Sequence, residues 1–147
     1  NVQGDEPFLD PSDINALGDF IYDNNDVDLA TLHSKLDKHE ENNPNVVKIW
    51  LDNKKVKGFS RKNNFITSEE IVKRKHLGLY AFRVSFLKEF ISMERTQNEI
   101  NEELEQLRAL DNNKKIIALK SKTNSYLGID TPLDLDLARS RIINDKD

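Results

Sequence analysis

The sequence contains no cysteine, which excludes disulfide bonds, thiolate metal sites and cysteine nucleophiles together. No apolar stretch approaches the roughly 20 residues that a membrane-spanning helix requires. No charged and then apolar leader marks a secretory signal at the N-terminus. We therefore expect a cytoplasmic protein without a membrane partner.

An excess of positive charge is also lacking. The 147 residues include 22 Lys and Arg against 26 Asp and Glu, which gives a net charge of −4. Binding to nucleic acid depends on clustered basic residues, so a nucleic-acid partner is not expected. Hydrophobic residues make up 37% of the chain and charged residues 33%, a balance typical of globular proteins. One domain over residues 1–147 is the simplest interpretation.

Strand and helix signals alternate along the chain. Asp10 and Pro11 predict the start of a helix over about residues 12–24. Strands are predicted at "VDLATLHSKL", "VVKIWLD", "VKGFSR", "KRKHLGLYAFR" and "KKIIALKS", and the second and third form a hairpin. The first of these alternates apolar and polar residues, which predicts a half-buried strand. This order of elements indicates an α/β fold.

Three more helices are predicted in the second half of the chain. The stretch "VSFLKEFISM" predicts a short helix, and its expected inward side chains are Phe86, Leu87, Phe90 and Ile91. Thr96 and Glu99 have the form of a capping box and predict the start of the next helix. The apolar stripe expected on that helix is Ile100, Leu104 and Leu107. Pro132 is expected in the first turn of the final helix.

The opening residues "NVQGDEP" have the pattern of a strand end followed by an acidic turn. Because α/β sheets usually begin with a strand and its crossover helix, we expect this chain to be the C-terminal part of a larger fold. Ligands bind beyond the carboxyl ends of the strands in such sheets, where Gln3, Gly4 and Asp5 would lie. Gly4 allows a close backbone approach, and Asp5 is an oxygen donor suited to Mg²⁺. An ordinary turn is the alternative.

A second acidic turn, "GIDTP", follows the last predicted strand. Asp130 in this turn is either the cap of the final helix or a partner of Asp5. Two carboxylates on separate turns can hold one Mg²⁺ and leave coordination positions for phosphate oxygens. Both interpretations remain open at the level of the residues.

Four segments, "NVQGDEP", "HLGLYAFR", "LEQLR" and "GIDTPLDLDLAR", occur in this order along nearly the whole chain. Together they resemble the 3-deoxy-manno-octulosonate cytidylyltransferases, or CMP-Kdo synthetases. The resemblance implies a nucleotide-diphospho-sugar transferase-like three-layer α/β fold that is incomplete at the N-terminus. It also implies an enzyme that joins the sugar acid Kdo to CMP from CTP, releasing pyrophosphate, for lipopolysaccharide biosynthesis. Members are cytoplasmic and usually homodimeric.

The resemblance makes Asp5 and Asp130 the predicted Mg²⁺ ligands. The substrate-binding residues that it implies are Gln3, Gly4, His76, Tyr80, Glu105 and Gln106. His76 and Tyr80 are four residues apart on a predicted strand and therefore share a face; the alternatives are a core tyrosine and a hydrogen-bonded histidine.

Three predicted substrate contacts, Glu105, Gln106 and Arg61, also have plain alternatives. Glu105 and Gln106 lie off the apolar stripe of their predicted helix and face either ligand or solvent. Arg61 is either a bidentate donor to a carboxylate or phosphate, or an ordinary surface arginine.

Two departures from the family pattern leave alternatives open. After "FSR" the chain continues as "KNNFITSEEIVKRK", where the family has an Ile-Pro turn and further basic residues. A related sugar acid, such as 8-amino-Kdo or a nonulosonic acid, is therefore an alternative substrate. The basic N-terminal loop that grips CTP in the family is also absent. The 147 residues alone are thus expected to be inactive, and a truncated, non-catalytic remnant is a further alternative.

Overall fold

The computed structural model describes residues 1–63, 68, 70–123, 128, 129 and 131–144. The strands in this part of the chain are β1 Leu29–Ser34, β2 Lys48–Asp52, β3 Lys55–Ser60, β4 Ile71–Phe82 and β5 Ile116–Lys120. The α-helices are α1 Pro11–Asp23, α2 Val84–Ser92, α3 Gln97–Glu102, α4 Gln106–Asp111 and α5 Pro132–Asn144. Among the described helices, none has the length and apolar character needed to cross a membrane.

Local sequence signals account for several element boundaries. Asp10 caps α1 because its carboxylate accepts a hydrogen bond from the backbone N of Ser12 at 2.8 Å. The β2–β3 hairpin turns at Asn53, whose φ of 56° lies in the left-handed region that asparagine tolerates. Thr96 caps α3 by accepting from the backbone N of Glu99 at 3.2 Å. The first helix, the hairpin and the Thr96 cap are confirmed.

The strands form a mixed sheet with helices on both faces. Its order is β1-β4-β2-β3-β5, and β5 returns to β1 in parallel to close a barrel. Helix α1 packs on one face, in a cluster formed by Leu17, Ala30, Leu32, Leu77 and Leu79. On the opposite face, α2 and α4 pack against the strands in a second hydrophobic cluster. Its members include Phe86, Phe90, Leu107, Leu29, Ile49 and Ile116. The predicted three-layer α/β architecture is confirmed.

Two details of the predicted burial are wrong. Strand β1 is covered on both faces and not on one, because Ala30 and Leu32 pack in the cluster with α1 and Leu29 packs in the second cluster with α2 and α4. On α2, Phe86 and Phe90 are buried, but Leu87 and Ile91 are 39% and 74% exposed. Only Phe86 and Phe90, one turn apart on this nine-residue helix, face the core.

The predicted helix after Thr96 is in fact two helices. Glu103 has a φ of 53°, which ends α3, and α4 begins at Gln106. The break leaves Ile100 half exposed, whereas Glu99 is buried with a relative exposure of 2%. The predicted continuous stripe is therefore wrong for Ile100, because an ion pair of Glu99 takes the inward position.

Candidate functional site

A cleft of about 900 Å³ opens along β4. The predicted site residues that line it are Gln3, Asp5, Arg61, His76, Tyr80, Glu105 and Gln106. They come from the opening segment, the end of β3, the middle of β4 and the corner between α3 and α4. Gly4 is not among the lining residues, and Asp130 lies outside the described part of the chain. Tertiary folding thus brings together residues that are up to 103 positions apart, from Gln3 to Gln106.

The opening segment runs beside β4. The backbone N of Asn1 donates to the carbonyl of Tyr80 at 2.6 Å, and the Tyr80 amide donates to the Asn1 carbonyl at 3.2 Å. The side chain of Gln3 lies over Gly78, where an added Cβ would approach its Oε1 to 3.4 Å. Gln3 thus lies directly over the strand between His76 and Tyr80, within van der Waals range of position 78.

One edge of the cleft is acidic. Asp5, Glu6 and Asp134 all line it. The backbone N of Ile129 donates to the Asp5 carbonyl at 2.8 Å, so the chain segment after β5 contacts the opening turn. Within the described ranges, no group of three or more His, Asp or Glu side chains is arranged to hold a metal. Mg²⁺ commonly takes only one or two protein carboxylates and completes its shell with water and phosphate, so the oxygen donors here fit that ion.

His76 and Tyr80 occupy the floor of the cleft. The His76 ring is buried, and its Nε2 lies 3.0 Å from Oγ1 of Thr31. Its centroid lies 5.0 Å from that of Phe59 and 5.5 Å from that of Tyr80. Burial lowers the pKa of His76 to about 3, so the imidazole is neutral at physiological pH. Burial and the nearby Glu105 carboxylate raise the pKa of Tyr80, so its phenol stays protonated.

The corner between α3 and α4 presents Glu105 and Gln106 to the cleft. Glu105 is exposed, whereas Gln106 is 7% exposed, and no described residue is hydrogen-bonded to its buried Nε2. A buried amide donor without a protein partner costs free energy unless a ligand or water accepts from it. The corner itself is held by Arg108, which donates to the Glu99 carboxylate from Nε at 2.8 Å and from Nη2 at 2.6 Å.

Arg61 lies at the rim of the cleft and is tied to the protein backbone. Its Nε donates to the Glu102 carbonyl at 3.0 Å, and its Nη1 donates to the Pro44 carbonyl at 3.2 Å. Lys48, which is fully buried, donates from Nζ to the carbonyls of Asn43 at 2.6 Å and Arg61 at 2.7 Å. These contacts fix the Asn43 loop and Arg61 as one wall of the cleft.

Several residues that shape the site were not predicted from the sequence. Thr31 contacts His76, Lys48 holds the wall with Arg61, and Glu99 anchors Arg108. One signal for Lys48 was present, since a lysine between Val47 and Ile49 in an apolar strand pattern needs a polar partner. Thr31 and Glu99 carry no comparable local signal, because threonine is common in strands and glutamate in first turns of helices.

Comparison with known proteins shows which family the chain resembles in sequence. A sequence model of the family described as Cytidylyltransferase matches residues 1–116. The 3-deoxy-manno-octulosonate cytidylyltransferase of Trichlorobacter lovleyi is 38% identical, over 97% of this chain and 62% of the relative. The enzyme of the same name from Wolinella succinogenes is 39% identical, over 94% of this chain and 60% of the relative.

A solved structure is also similar. It is described as CMP:2-keto-3-deoxy-manno-octonic acid synthetase complexed with CTP, and it superposes with a TM-score of 0.87 at 28% identity. The similarity covers 99% of this chain and 61% of the solved chain. The chain thus spans about three fifths of the length of the relatives that it matches. The predicted resemblance is confirmed, and the chain belongs to the cytidylyltransferase family.

Proposed function

We infer that this chain is part of a cytidylyltransferase that transfers CMP from CTP to Kdo and releases pyrophosphate. The observation that supports this inference is one cleft in which six residues named by the resemblance lie together with Arg61. They come from separate parts of the chain, so their convergence does not follow from sequence proximity. The relatives that carry this activity in their names provide the second line of support.

The floor and corner of the cleft suit a polyhydroxylated ligand. The protonated phenol of Tyr80 and the unpartnered Nε2 of Gln106 are donors, and the exposed carboxylate of Glu105 is an acceptor. Sugar hydroxyls both donate and accept, so this mixture can pair with several of them at once. We therefore assign the sugar acid to this part of the cleft, with Gln3 on its near side.

The acidic edge suits the triphosphate end of the reaction. In this proposal Asp5 and Asp130 hold Mg²⁺, and Asp5 does so from the turn that Ile129 contacts. Mg²⁺ held by these carboxylates would neutralise charge on the α-phosphate and would lower the pKa of the attacking hydroxyl. Arg61 keeps Nη2 free of described protein partners and can donate it to an anionic group of either substrate.

The wider role follows from the same proposal. An enzyme with this activity supplies activated Kdo for lipopolysaccharide synthesis, works in the cytoplasm and, like its family, forms a homodimer. These statements rest on the resemblance alone. Sedimentation of the protein as its gene encodes it tests the homodimer directly, since a monomer at micromolar concentration would contradict it.

A product assay tests the function. The protein as its gene encodes it is incubated with CTP, Mg²⁺ and each member of a panel of sugar acids that includes Kdo, 8-amino-Kdo and a nonulosonic acid. We expect pyrophosphate and the CMP-sugar in equal amounts, with Kdo the preferred substrate. Preference for another acid would correct the substrate, and the absence of product with every acid would contradict the function.

A further inference from the structure

Thr31 lies at an irregularity of the sheet beside His76. In the β1–β4 ladder Thr31 pairs with Tyr80, but the next residue, Leu32, pairs with Leu77. Two residues of β4 therefore have no opposite partner on β1, and the local ladder is interrupted. Buried carbonyls at such a bulge need another donor.

The hydroxyl of Thr31 supplies that donor. It is fully buried, and its Oγ1 lies 2.9 Å from the carbonyl oxygen of Leu79 and 3.3 Å from that of Leu77. It also lies 3.0 Å from Nε2 of His76. A hydroxyl has one proton to donate and two lone pairs that accept. Because the carbonyls can only accept, the Thr31 proton is directed to them, and the hydroxyl oxygen is left to accept from His76.

We propose that Thr31 fixes His76 as the Nε2–H tautomer, so that Nδ1 is a hydrogen-bond acceptor that selects a hydroxyl of the bound sugar acid. His76 lines the cleft, and no described residue is hydrogen-bonded to its Nδ1. In a neutral imidazole one nitrogen donates and the other accepts, so the bond at Nε2 determines the role of Nδ1. Thr31 is thus a positioning residue that acts through His76, and the ligand part of this inference rests on the proposed function.

The tautomer can be measured without any ligand. The chain has three histidines, and ¹⁵N NMR distinguishes a protonated from an unprotonated ring nitrogen. The His76→Gln variant identifies the His76 signals by their loss. We expect a protonated Nε2 and an unprotonated Nδ1 at pH 7 in the wild type. A protonated Nδ1, or protons on both nitrogens, would overturn the proposal.

Two substitutions of Thr31 test the cause. Thr31→Val keeps the shape and removes the hydroxyl, so the His76 signals are expected to shift toward a mixture of tautomers. Thr31→Ser keeps the hydroxyl and is the matched control, with the wild-type spectrum expected. An unchanged spectrum in Thr31→Val would show that Thr31 does not fix the tautomer. If that variant does not fold, the wild-type and Thr31→Ser spectra still decide whether Nε2 carries the proton.

Ligand binding is the second measurement, made on the protein as its gene encodes it. The loss of one oriented acceptor is expected to weaken Kdo binding about 5-fold in Thr31→Val, with CTP affinity unchanged. Equal weakening for both ligands would indicate a general structural effect and contradict the ligand part. If the wild type binds no sugar acid, the proposed function and the ligand part both fail, while the NMR result still decides the tautomer.

Discussion

Glu99 gives the sharpest test of what holds the site in place. Its carboxylate is 2% exposed, and it receives two hydrogen bonds from Arg108 and one from Nε of Arg95 at 3.1 Å. Removing one partner of a buried ion pair costs about 3–5 kcal/mol, because the other charge stays buried without compensation. In Glu99→Leu, Arg108 keeps its contact with the Phe90 ring at 4.7 Å and lies 3.5 Å from Glu105. We therefore expect Glu99→Leu to lower the free energy of unfolding by about 3 kcal/mol, the lower end of that range.

Thermal unfolding at pH 7 measures this loss. For a chain of this size about 3 kcal/mol corresponds to a fall in Tm of roughly 10 °C. Arg108→Met should show a similar fall, but the double variant should lose less than the sum, since an apolar pair leaves no buried charge. Asp136→Asn is the control, because its ion pair with Arg139 has side chains that are 72% and 66% exposed; no measurable change is expected there.

The same pair predicts a dependence on pH. The hydrogen bonds from Arg108 are the main reason why the pKa of Glu99 lies below its ordinary value of 4.5. A lowered pKa in the folded state stabilises the protein above the unfolded-state pKa, and this stabilisation is lost as the pH falls through the folded-state pKa. The difference between wild type and Glu99→Leu should therefore shrink when unfolding is measured at progressively lower pH below 4.5. A Tm change no larger than that of the control, or one independent of pH, would refute this reasoning.

Three further predictions concern the cleft itself. In the protein as its gene encodes it, Asp5→Asn and Asp130→Asn should each abolish most turnover and leave Tm nearly unchanged. The double variant should be hardly worse than either single variant, because both residues act through one ion. Multiplicative losses in a turnover and Mg²⁺ titration series would contradict a shared ion. In steady-state kinetics Tyr80→Phe should raise KM for Kdo much more than KM for CTP. Equal increases in the two KM values would indicate that Tyr80 is a core residue and does not contact the sugar. Lys48→Met should lower the free energy of unfolding, measured by urea titration, by about 2 kcal/mol, because two carbonyls lose their donor. Lys57→Met, at an exposed position, is the control. An equal loss of unfolding free energy in both variants would refute the role of the buried ammonium.

Elements with local signals could be predicted from the sequence. Asp10 before a proline, Asn53 in a hairpin turn and Thr96 three residues before Glu99 each act within a few residues, so their effect is readable without the fold. The alternation of strands and helices indicated the α/β class for the same reason. The opening acidic turn with Asp5 was a candidate from its pattern alone. His76 and Tyr80 were candidates only through the resemblance, because a hydrogen-bonded histidine and a core tyrosine explain the strand pattern without a ligand.

Tertiary structure decided what covers each face and which polar groups meet. No local pattern shows that β1 lies between two strands, that Glu103 adopts a positive φ, or that Arg108 reaches back to Glu99. The buried hydroxyl of Thr31 has its role only because a register shift in β4 brings two carbonyls and one imidazole to it. Contacts of this kind join residues 45 or more positions apart, and their energies depend on burial, which a sequence pattern does not contain.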